Sequence, residues 1–390
     1  MSRLDELIAE LCPDGVEYKK LGDVATITRG GSFQKKDYVA SGYPCIHYGQ
    51  IYTLYGLFVN ETAKFISEET AAKQKKASKN DVIMAVTSEN VEDVCKCVAW
   101  LGEGEVAVSG HTAIIHHTLN PKYLVYWLHS SMYYSQKIKL AHGTKVIEVS
   151  PNSLESVVLP IPPLPVQQEI VRILDHFTEL TAELTAELTA RKKQYEYYRD
   201  LLLSEEKVEN KTLPEISVNY DRQRKPVTKG DRIVGKYPYY GASGIVDYVS
   251  DYLFDGDYLL VSEDGANLLA RSTPIAFSIT GKNWVNNHAH VLKFDSFEMR
   301  KYVEIYLNSI DLSKYISGGA QPKLNQDNLN KIQIPLPSQQ KMKTIVEILL
   351  RFDSLCNDLT SGLPAEIAAR QKQYEYYRDK LLTFKELKKS

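Results

Sequence analysis

Arg191-Lys-Lys-Gln-Tyr-Glu-Tyr-Tyr-Arg-Asp-Leu-Leu-Leu203 returns as Arg370-Gln-Lys-Gln-Tyr-Glu-Tyr-Tyr-Arg-Asp-Lys-Leu-Leu382, and the two stretches differ at only two of thirteen positions. Helical patterning makes segments alike in hydropathy, but it does not write Lys-Gln-Tyr-Glu-Tyr-Tyr-Arg-Asp twice. The likeness extends upstream. Leu159-Pro-Ile-Pro-Pro-Leu-Pro-Val-Gln-Gln168 is answered by Ile334-Pro-Leu-Pro-Ser-Gln-Gln340, and Ile170-Val-Arg-Ile-Leu174 by Ile345-Val-Glu-Ile-Leu349. The chain is a tandem duplication, each copy ending in a proline-rich stop and a long amphipathic helix. In the first helix Ile170, Ile173, Leu174, Phe177, Leu180, Leu184, Leu188, Tyr195, Tyr198 and Leu202 recur at three- and four-residue steps, which marks one apolar stripe. At 1.5 Å per residue the span 166–203 predicts a helix of ~57 Å, longer than a small domain needs.

Working outward, Val16-Glu-Tyr-Lys-Lys-Leu-Gly-Asp-Val24 has a counterpart in Val208-Glu-Asn-Lys-Thr-Leu-Pro-Glu-Ile216, directly after the first long helix. The amphipathic segment 2–11 therefore stands where the end of a long helix stands in the other repeat, which places it near the end of the C-terminal helix. The expected division is an N-terminal helix (1–15), a globular unit (16–160), a long helix (161–207), a second globular unit (208–335) and a second long helix (336–390). Strands are expected at 24–27, 81–87, 95–100 and 111–116 with a helix over 121–140, and at 258–262, 275–279 and 289–294 with a helix over 297–307. The fold class is α+β: two duplicated mixed units separated by two long helices packed as an antiparallel coiled coil. The helices are nearly identical between copies while the units barely align, which describes a constant frame carrying two divergent readers.

Inside the first helix Thr-Ala-Glu-Leu repeats with period four from Thr178 to Ala190, which reads equally as an adjustable spacer and as a plain packing face. The second helix carries Thr360-Ser-Gly-Leu-Pro364 there, and glycine with proline predicts a kink or break. Segment 159–206 holds 5 basic and 9 acidic residues, and segment 335–390 holds 10 and 7, so the two helices are complementary in charge.

Hydrophobic content of 43% and charged content of 25% describe an ordinary globular protein. No signal peptide or membrane-length apolar run stands out, so a cytoplasmic protein is expected. The 5 cysteines, Cys12, Cys45, Cys95, Cys97 and Cys356, are scattered and odd in number, which fits free thiols. Cys95 and Cys97 would share one face of a strand, and His288 and His290 likewise, but neither pair has further ligands at metal-site spacing. No phosphate-binding glycine loop and no methyltransferase motif of the kind used on flipped bases is present, so neither a catalytic site nor a metal site is expected.

What is present suits nucleic acid. Arg222, Arg224, Lys225, Lys229, Arg232 and Lys236 cluster just before Tyr237-Pro-Tyr-Tyr-Gly-Ala-Ser-Gly244. The first unit offers Lys73, Lys75, Lys76 and Lys79, with Gly42-Tyr-Pro-Cys-Ile-His-Tyr-Gly49. Basic groups fix register on phosphates, and nearby polar and aromatic groups reach base edges. Two units on a rigid spacer suit a split site along a duplex.

The proline lead-in, the paired Gln-Tyr-Glu-Tyr-Tyr-Arg-Asp helices, Gly362-Leu-Pro364, the Thr-Ala-Glu-Leu repeat and Ser317-Gly-Gly-Ala-Gln-Pro-Lys-Leu-Asn325 together resemble the specificity subunit of a type I restriction-modification system, over the whole chain. The resemblance implies two target-recognition domains, each reading half of a bipartite site in double-stranded DNA, in a subunit that is not itself catalytic. It implies two methyltransferase subunits docked on the helices, and endonuclease subunits bound to that core. The assembled complex would be an adenine-N6 methyltransferase and an ATP-dependent endonuclease, with S-adenosylmethionine, ATP and magnesium carried by the partners. Lys35, Lys36, Tyr43, His47, Tyr48, Lys73, Lys75, Lys76 and Lys145 are the expected DNA contacts of the first unit. In the second they are Arg222, Arg224, Lys225, Tyr239, Tyr240, Ser243, Gly318, Gly319, Gln321 and Lys323, the glycines admitting a phosphate close to the backbone. Tyr195, Tyr197, Tyr198, Tyr374, Tyr376 and Tyr377 are the expected partner-binding positions. A metal-dependent nuclease with two DNA-binding halves and a pure coiled-coil scaffold are the competing readings.

Overall fold

The computed structural model describes residues 2–204, 208–263, 267–271, 273–318 and 322–387. The chain divides into two compact units, Met1–Thr185 with Ile367–Ser390, and Ala186–Glu366. One continuous 40-residue helix, Leu164–Leu203, starts in the first unit and ends in the second. The C-terminal helical region is broken into Gln339–Asn357 and Leu363–Leu381. The break has a local cause. The Asp358 carboxylate accepts hydrogen bonds from Thr360 and Ser361, which turn the chain out of the helix and hold that acid well below the usual carboxylate range. A Cβ on Gly362 would stand 2.5 Å from the Ser354 carbonyl oxygen, so only glycine passes there. Pro364 then sits in the first turn of the next helix, where its missing N–H costs nothing.

The first unit holds two five-stranded sheets. One runs Ala25–Arg29, Thr112–His117, Val82–Ala85, Cys97–Trp100, Phe58–Val59; the other Tyr38–Val39, Lys64–Ile66, Tyr43–Ile46, Val106–Val108, Lys76–Ala77. Val82–Ala85 is apolar throughout because both of its faces are covered. Val82 and Met84 join the core that includes Leu124 and Ile170, and Ile83 and Ala85 join one with Val98, Trp100 and Val108. The helix expected over 121–140 is two helices, Pro121–Leu128 and Ser131–Leu140. Ser130 is the reason, since its hydroxyl bonds the Trp127 carbonyl and caps the Tyr133 amide. Cys95 does not lie on a strand with Cys97 either: its φ of 67° puts it in the left-handed region, at the turn before Cys97–Trp100. All five cysteines are free and buried, and burial pushes the Cys95 thiol up to about 11 and the Cys45 thiol to about 12.

The N-terminal helix Arg3–Leu11 starts at a Ser2/Asp5 capping box. Leu4 enters the first unit's core beside Tyr374 and Leu382. Val16 then exchanges backbone hydrogen bonds with the C-terminal tail, its N–H to Lys385 and its carbonyl from Leu387.

The second unit holds two four-stranded sheets: Val218–Asn219, Ala289–Lys293, Tyr258–Ser262, Ala276–Ile279, and Gly244–Val249, Val234–Gly241, Lys282–Val285, Phe254–Asp255. Its duplication with the first unit is written in register. Glu17–Lys20 pairs antiparallel with Val158–Ile161 from Glu17 opposite Ile161, and Glu209–Thr212 pairs with Gln333–Leu336 from Glu209 opposite Leu336. The Tyr123 hydroxyl bonds the Pro160 carbonyl at 3.1 Å, and Tyr302 bonds Pro335 at 2.8 Å. Phe177 stacks on Tyr377 at 5.4 Å in the first unit, and Phe352 on Tyr198 at 6.0 Å in the second. Within the second unit the helix segments run antiparallel, because Arg191 and Lys192 lie near Cys356 while Leu203 shares a core with Leu349 and Met342.

Candidate nucleic-acid interface

Each unit ends its two sheets at the same polar corner. In the first, Tyr43–Ile46 and Val106–Val108 run parallel, with Cys45 opposite Ala107, and the Ser109 N–H closes the pair on the Ile46 carbonyl at 3.0 Å. The chain turns at Gly110, and the carbonyl of His111 accepts from the Val86 N–H at 2.9 Å. The Val86 carbonyl accepts from Val149 at 3.0 Å, anchoring a 142–148 loop whose ends His142 and Glu148 pair. In the second unit Tyr239 stands opposite Trp284, and Asn286 donates to Tyr240 at 3.1 Å. Glu263 donates to the carbonyl of His288 at 2.9 Å, and Leu324 to that of Glu263 at 2.7 Å. Ser317 and Lys323 there close the 317–323 loop. Gly143 and Gly318 occupy matching places in the two loops, with φ of 109° and 91°. A Cβ on Gly143 would fall 2.0 Å from the Val146 carbonyl oxygen.

In the first unit this corner gathers several expected contacts. Lys35 and Lys36 stand exposed on the short turn Lys35–Asp37. His47 is buried, its Nδ1 accepting from the Gly49 N–H at 3.1 Å and its ring 4.5 Å from that of Tyr48, with the Phe33 and Tyr38 rings edge-on at 6.2 and 6.3 Å. Burial first, then Lys35 and His111, hold its pKa below that of an ordinary histidine. Half-buried Tyr48 places its ring 5.3 Å from that of His111. Lys145 is exposed on the 142–148 loop. The lysine run is less available than its spelling suggests: Lys73 pairs with Glu69, Lys76 with Glu105, and Lys79 with Glu103. Lys76 also covers the Tyr43 ring at 4.5 Å, and Lys75 is exposed.

In the second unit Arg222, Lys225, Lys229 and Lys236 are exposed, whereas two arginines of the cluster are committed inward. Arg224 lies 2.8 Å from Glu263 and 3.4 Å from Asp221, and bonds the Ala289 carbonyl. Arg232 pairs with Asp247 and covers the Tyr239 ring at 4.4 Å. Tyr239 is buried with its hydroxyl accepting from the Val227 N–H, so it supports the strand and presents no free face. Tyr240 is half-buried against Phe277, and Ser243 is exposed in the hairpin turn. Gly318 and Lys323 are on the 317–323 loop; Gly319 and Gln321 lie outside the described residues. His288 and His290 do not form a pair on one strand face. His288 is exposed in the turn before Ala289–Lys293, and His290 is buried between the Asp221 carboxylate at 2.5 Å and the Leu324 carbonyl at 2.7 Å. Burial pushes the Asp221 carboxyl up, but the His290 contact, the Val291 N–H and Arg224 outweigh it and hold the group below its ordinary value.

Two features escape a linear reading. The hairpin of Val234–Gly241 and Gly244–Val249 exposes Val234, Ile245, Val246 and Tyr248 beside Lys229 and Lys236. The other is the matched pair His111 and His288, which only the hydrogen-bond frame aligns.

The six helix tyrosines separate by role. Tyr374 is in the first core and Tyr195 packs on the second, while Tyr198 and Tyr377 hold the stacks with Phe352 and Phe177. Tyr197 and Tyr376, 65% and 62% exposed, are the pair facing solvent. Among the described residues no group of three or more His, Cys, Asp or Glu is placed to hold a metal ion, and no helix is long and apolar enough to cross a membrane.

The family model described as the type I restriction modification DNA specificity domain matches residues 13–191 and again 205–369. A putative type I restriction enzyme specificity subunit of Haemophilus influenzae is 36% identical over 196 residues, covering 49% of this chain and 50% of that protein. The chain thus spans half the length of that relative in the alignment. The specificity subunit of the Escherichia coli type I restriction enzyme EcoR124I/EcoR124II is 35% identical over 291 residues, covering 67% and 70%. In fold, the chain is similar to the S subunit of the type I system of M. genitalium, with TM-score 0.56 at 16% identity over 94% of this chain and 96% of that one. A chain from a study of complex assembly and conformational transition of the type I system gives 0.63 at 16% identity over 96% and 98%.

Proposed function

The chain belongs to the type I restriction-modification DNA specificity family, and from that premise we propose that each of its two units reads one half of a bipartite site in double-stranded DNA. The observation that carries this is the corner built twice. The same frame of hydrogen bonds presents a turn and a glycine-bent loop in each unit, while the side chains mounted on it differ: His47, Tyr48 and Lys145 in one, Tyr240, Ser243 and Lys323 in the other. A constant scaffold with exchanged surface residues is what two readers of different half-sites need.

The chain is non-catalytic in this reading. It supplies recognition, while methyltransferase subunits bring S-adenosylmethionine chemistry and endonuclease subunits bring ATP and magnesium. In this reading the long helices set the number of base pairs between half-sites. Tyr197 and Tyr376, repeated and outward-facing, are the anchors for two copies of one methyltransferase subunit. Such a complex works in the cytoplasm.

Methylation mapping in cells that express this chain with its cognate methyltransferase, beside cells lacking either, tests the reading. A split motif of fixed spacing is expected only when both are present, and exchange of residues 16–160 should change one half-site alone. Co-purification of the two proteins without any such motif would refute recognition and leave a scaffold.

A further inference from the structure

We propose that the second unit carries a docking groove for an extended peptide segment of a partner polypeptide, an aromatic residue between aliphatic ones, which adds a parallel strand at Ala276–Ile279. The argument starts from register. In the first unit Met84 stands opposite Cys97 and Ala113, and in the second Val261 stands opposite Ala276 and His290. The Ala85 N–H bonds the Lys96 carbonyl and the Ser262 N–H the Ile275 carbonyl, both at 2.8 Å. Ala99 therefore corresponds to Ser278, and Leu101 to Thr280. The two sheets differ at this edge. Cys97–Trp100 has a further parallel neighbour, Phe58–Val59, whereas among the described residues Ala276–Ile279 ends its sheet.

In the first unit the Ala99 N–H bonds the Leu57 carbonyl at 3.0 Å, and the Leu101 N–H bonds that of Val59 at 2.8 Å. By register the backbone of Ser278 and Thr280 is turned the same way in the second unit, where no strand meets it. The start of this edge is closed by a side chain. Asn308 Oδ1 accepts from the Ile275 and Ala276 N–H groups, and its Nδ2 donates to the Ala276 carbonyl at 2.7 Å. The rung beyond it stays open, with Ser278 half-buried and Thr280 exposed. An open edge of this kind is a template for another chain.

The space beside the edge is open as well. In the first unit the Phe58 ring stands edge-on to Tyr126 at 5.4 Å, Lys122 lies over it at 4.7 Å, and the Tyr126 hydroxyl bonds Asp175 at 2.7 Å. The matched pairs Tyr123 with Tyr302 and Phe177 with Phe352 make Lys301, Ile305 and Leu350 the counterparts of Lys122, Tyr126 and Asp175. The smaller Ile305 and the missing strand leave a cleft of about 640 Å³, walled by Tyr195, Ile275, Lys301, Ile305, Leu349 and Leu350. Its lining selects the occupant. Glu196, Glu304 and Asp353 at the cleft repel a phosphate backbone, and its two arginines are engaged, Arg199 by Asp200 and Arg271 by the Asn308 and Ile310 carbonyls. A peptide backbone satisfies the open rung, and the aliphatic wall beneath Lys301 takes an aromatic ring as the equivalent place takes Phe58.

The probe is the segment that fills the first unit's groove, made as a separate peptide, Tyr55-Gly-Leu-Phe-Val-Asn-Glu61, blocked at both ends, labelled with a fluorophore and titrated with the full chain. Saturable binding is expected, and Phe58→Ala in the peptide should weaken it about tenfold or more, the loss of one anchoring ring. That arm leaves the protein untouched, so no folding defect can imitate it. In the chain, Ser278→Pro removes an N–H that the sheet does not use, and Ile305→Glu sets a carboxylate in the place of the ring. Each should weaken binding at least tenfold with the melting temperature unchanged. Absence of saturable binding, equal binding of the Phe58→Ala peptide, or binding that survives both chain variants would overturn the proposal. The recognition role stands or falls separately, on methylation mapping.

Discussion

Replacing Asp221 with alanine should strongly destabilise the second unit while sparing the first. Asp221 is 9% exposed, and its carboxylate does three things at once. One oxygen meets His290 Nδ1 at 2.5 Å, the other accepts from the Val291 N–H at 2.8 Å, and the Arg224 guanidinium lies 3.4 Å away. Removing one partner of a buried pair costs about 3–5 kcal/mol, because the survivor stays buried and uncompensated. The orphaned Val291 N–H adds about 1–3 kcal/mol. These terms share atoms and do not add fully, and Arg224 keeps Glu263, so about 4–6 kcal/mol is the expected loss. That is comparable with the lower end of the ~5–15 kcal/mol that stabilises a domain. Hydrogen exchange followed by mass spectrometry separates the units: peptides over 258–262 and 289–293 should lose protection by several orders of magnitude, and peptides over 82–85 and 112–117 should not change. Asp221→Asn, which keeps an acceptor for Val291 but no charge, should lose roughly half as much. A loss below about 1 kcal/mol in Asp221→Ala, or equal deprotection of both units, would refute the claim that this network holds the second unit together.

Acid should weaken the first unit before the second. His117 and His129 are pushed down to about 4, mainly by burial, with Asp81 and the Val125 carbonyl opposing. The unfolded chain takes up those protons near pH 6.5 and the folded chain only near 4, so stability falls as pH drops across that window, by at most roughly 3 kcal/mol per histidine. Asp221, held below its ordinary value, supports the second unit until the pH falls below the usual aspartate range; urea midpoints for each unit at pH 7 and pH 5 check the order. Phe177→Ala and Phe352→Ala remove equivalent stacks and should each cost about 2 kcal/mol within one unit only, read by the same exchange experiment. Tyr197→Ala and Tyr376→Ala should each weaken methyltransferase binding about tenfold in calorimetry without lowering the melting temperature, and a loss confined to one of them would refute two equivalent docking sites.

The duplication was legible because its signal is redundant: thirteen residues of near identity, a proline lead-in and a common entry segment all repeat. The helix break at Thr360-Ser-Gly-Leu-Pro364 was legible for a different reason, since glycine and proline act through their own backbone chemistry and need no tertiary context. The division of 121–140 into two helices was not. Its sequence keeps helical periodicity throughout, and only the Ser130 side chain's use of both the Trp127 carbonyl and the Tyr133 amide decides for a turn. The ion pairs of the lysine and arginine clusters were not legible for a related reason. Proximity along the chain says nothing about where Glu69, Glu105, Asp247 and Glu263 fold to, and those acids take up Lys73, Lys76, Arg232 and Arg224.

The matched corner was invisible for a reason that bears on function. Its frame is made of backbone hydrogen bonds: Ser109 to Ile46 and Asn286 to Tyr240, Val86 to His111 and Glu263 to His288, Val149 to Val86 and Leu324 to Glu263. Backbone groups are common to all residues, so each pair of equivalents is free to change identity while the geometry stays put. Where the frame does constrain the residue, at Gly143 and Gly318, the same amino acid stands in both units. Exposed positions such as Lys145 on one loop and Lys323 on the other carry no such constraint and are available to specificity. A recognition element built this way can change what it reads without changing how it folds, and the same freedom that erases the alignment between the two units lets one chain carry two different readers.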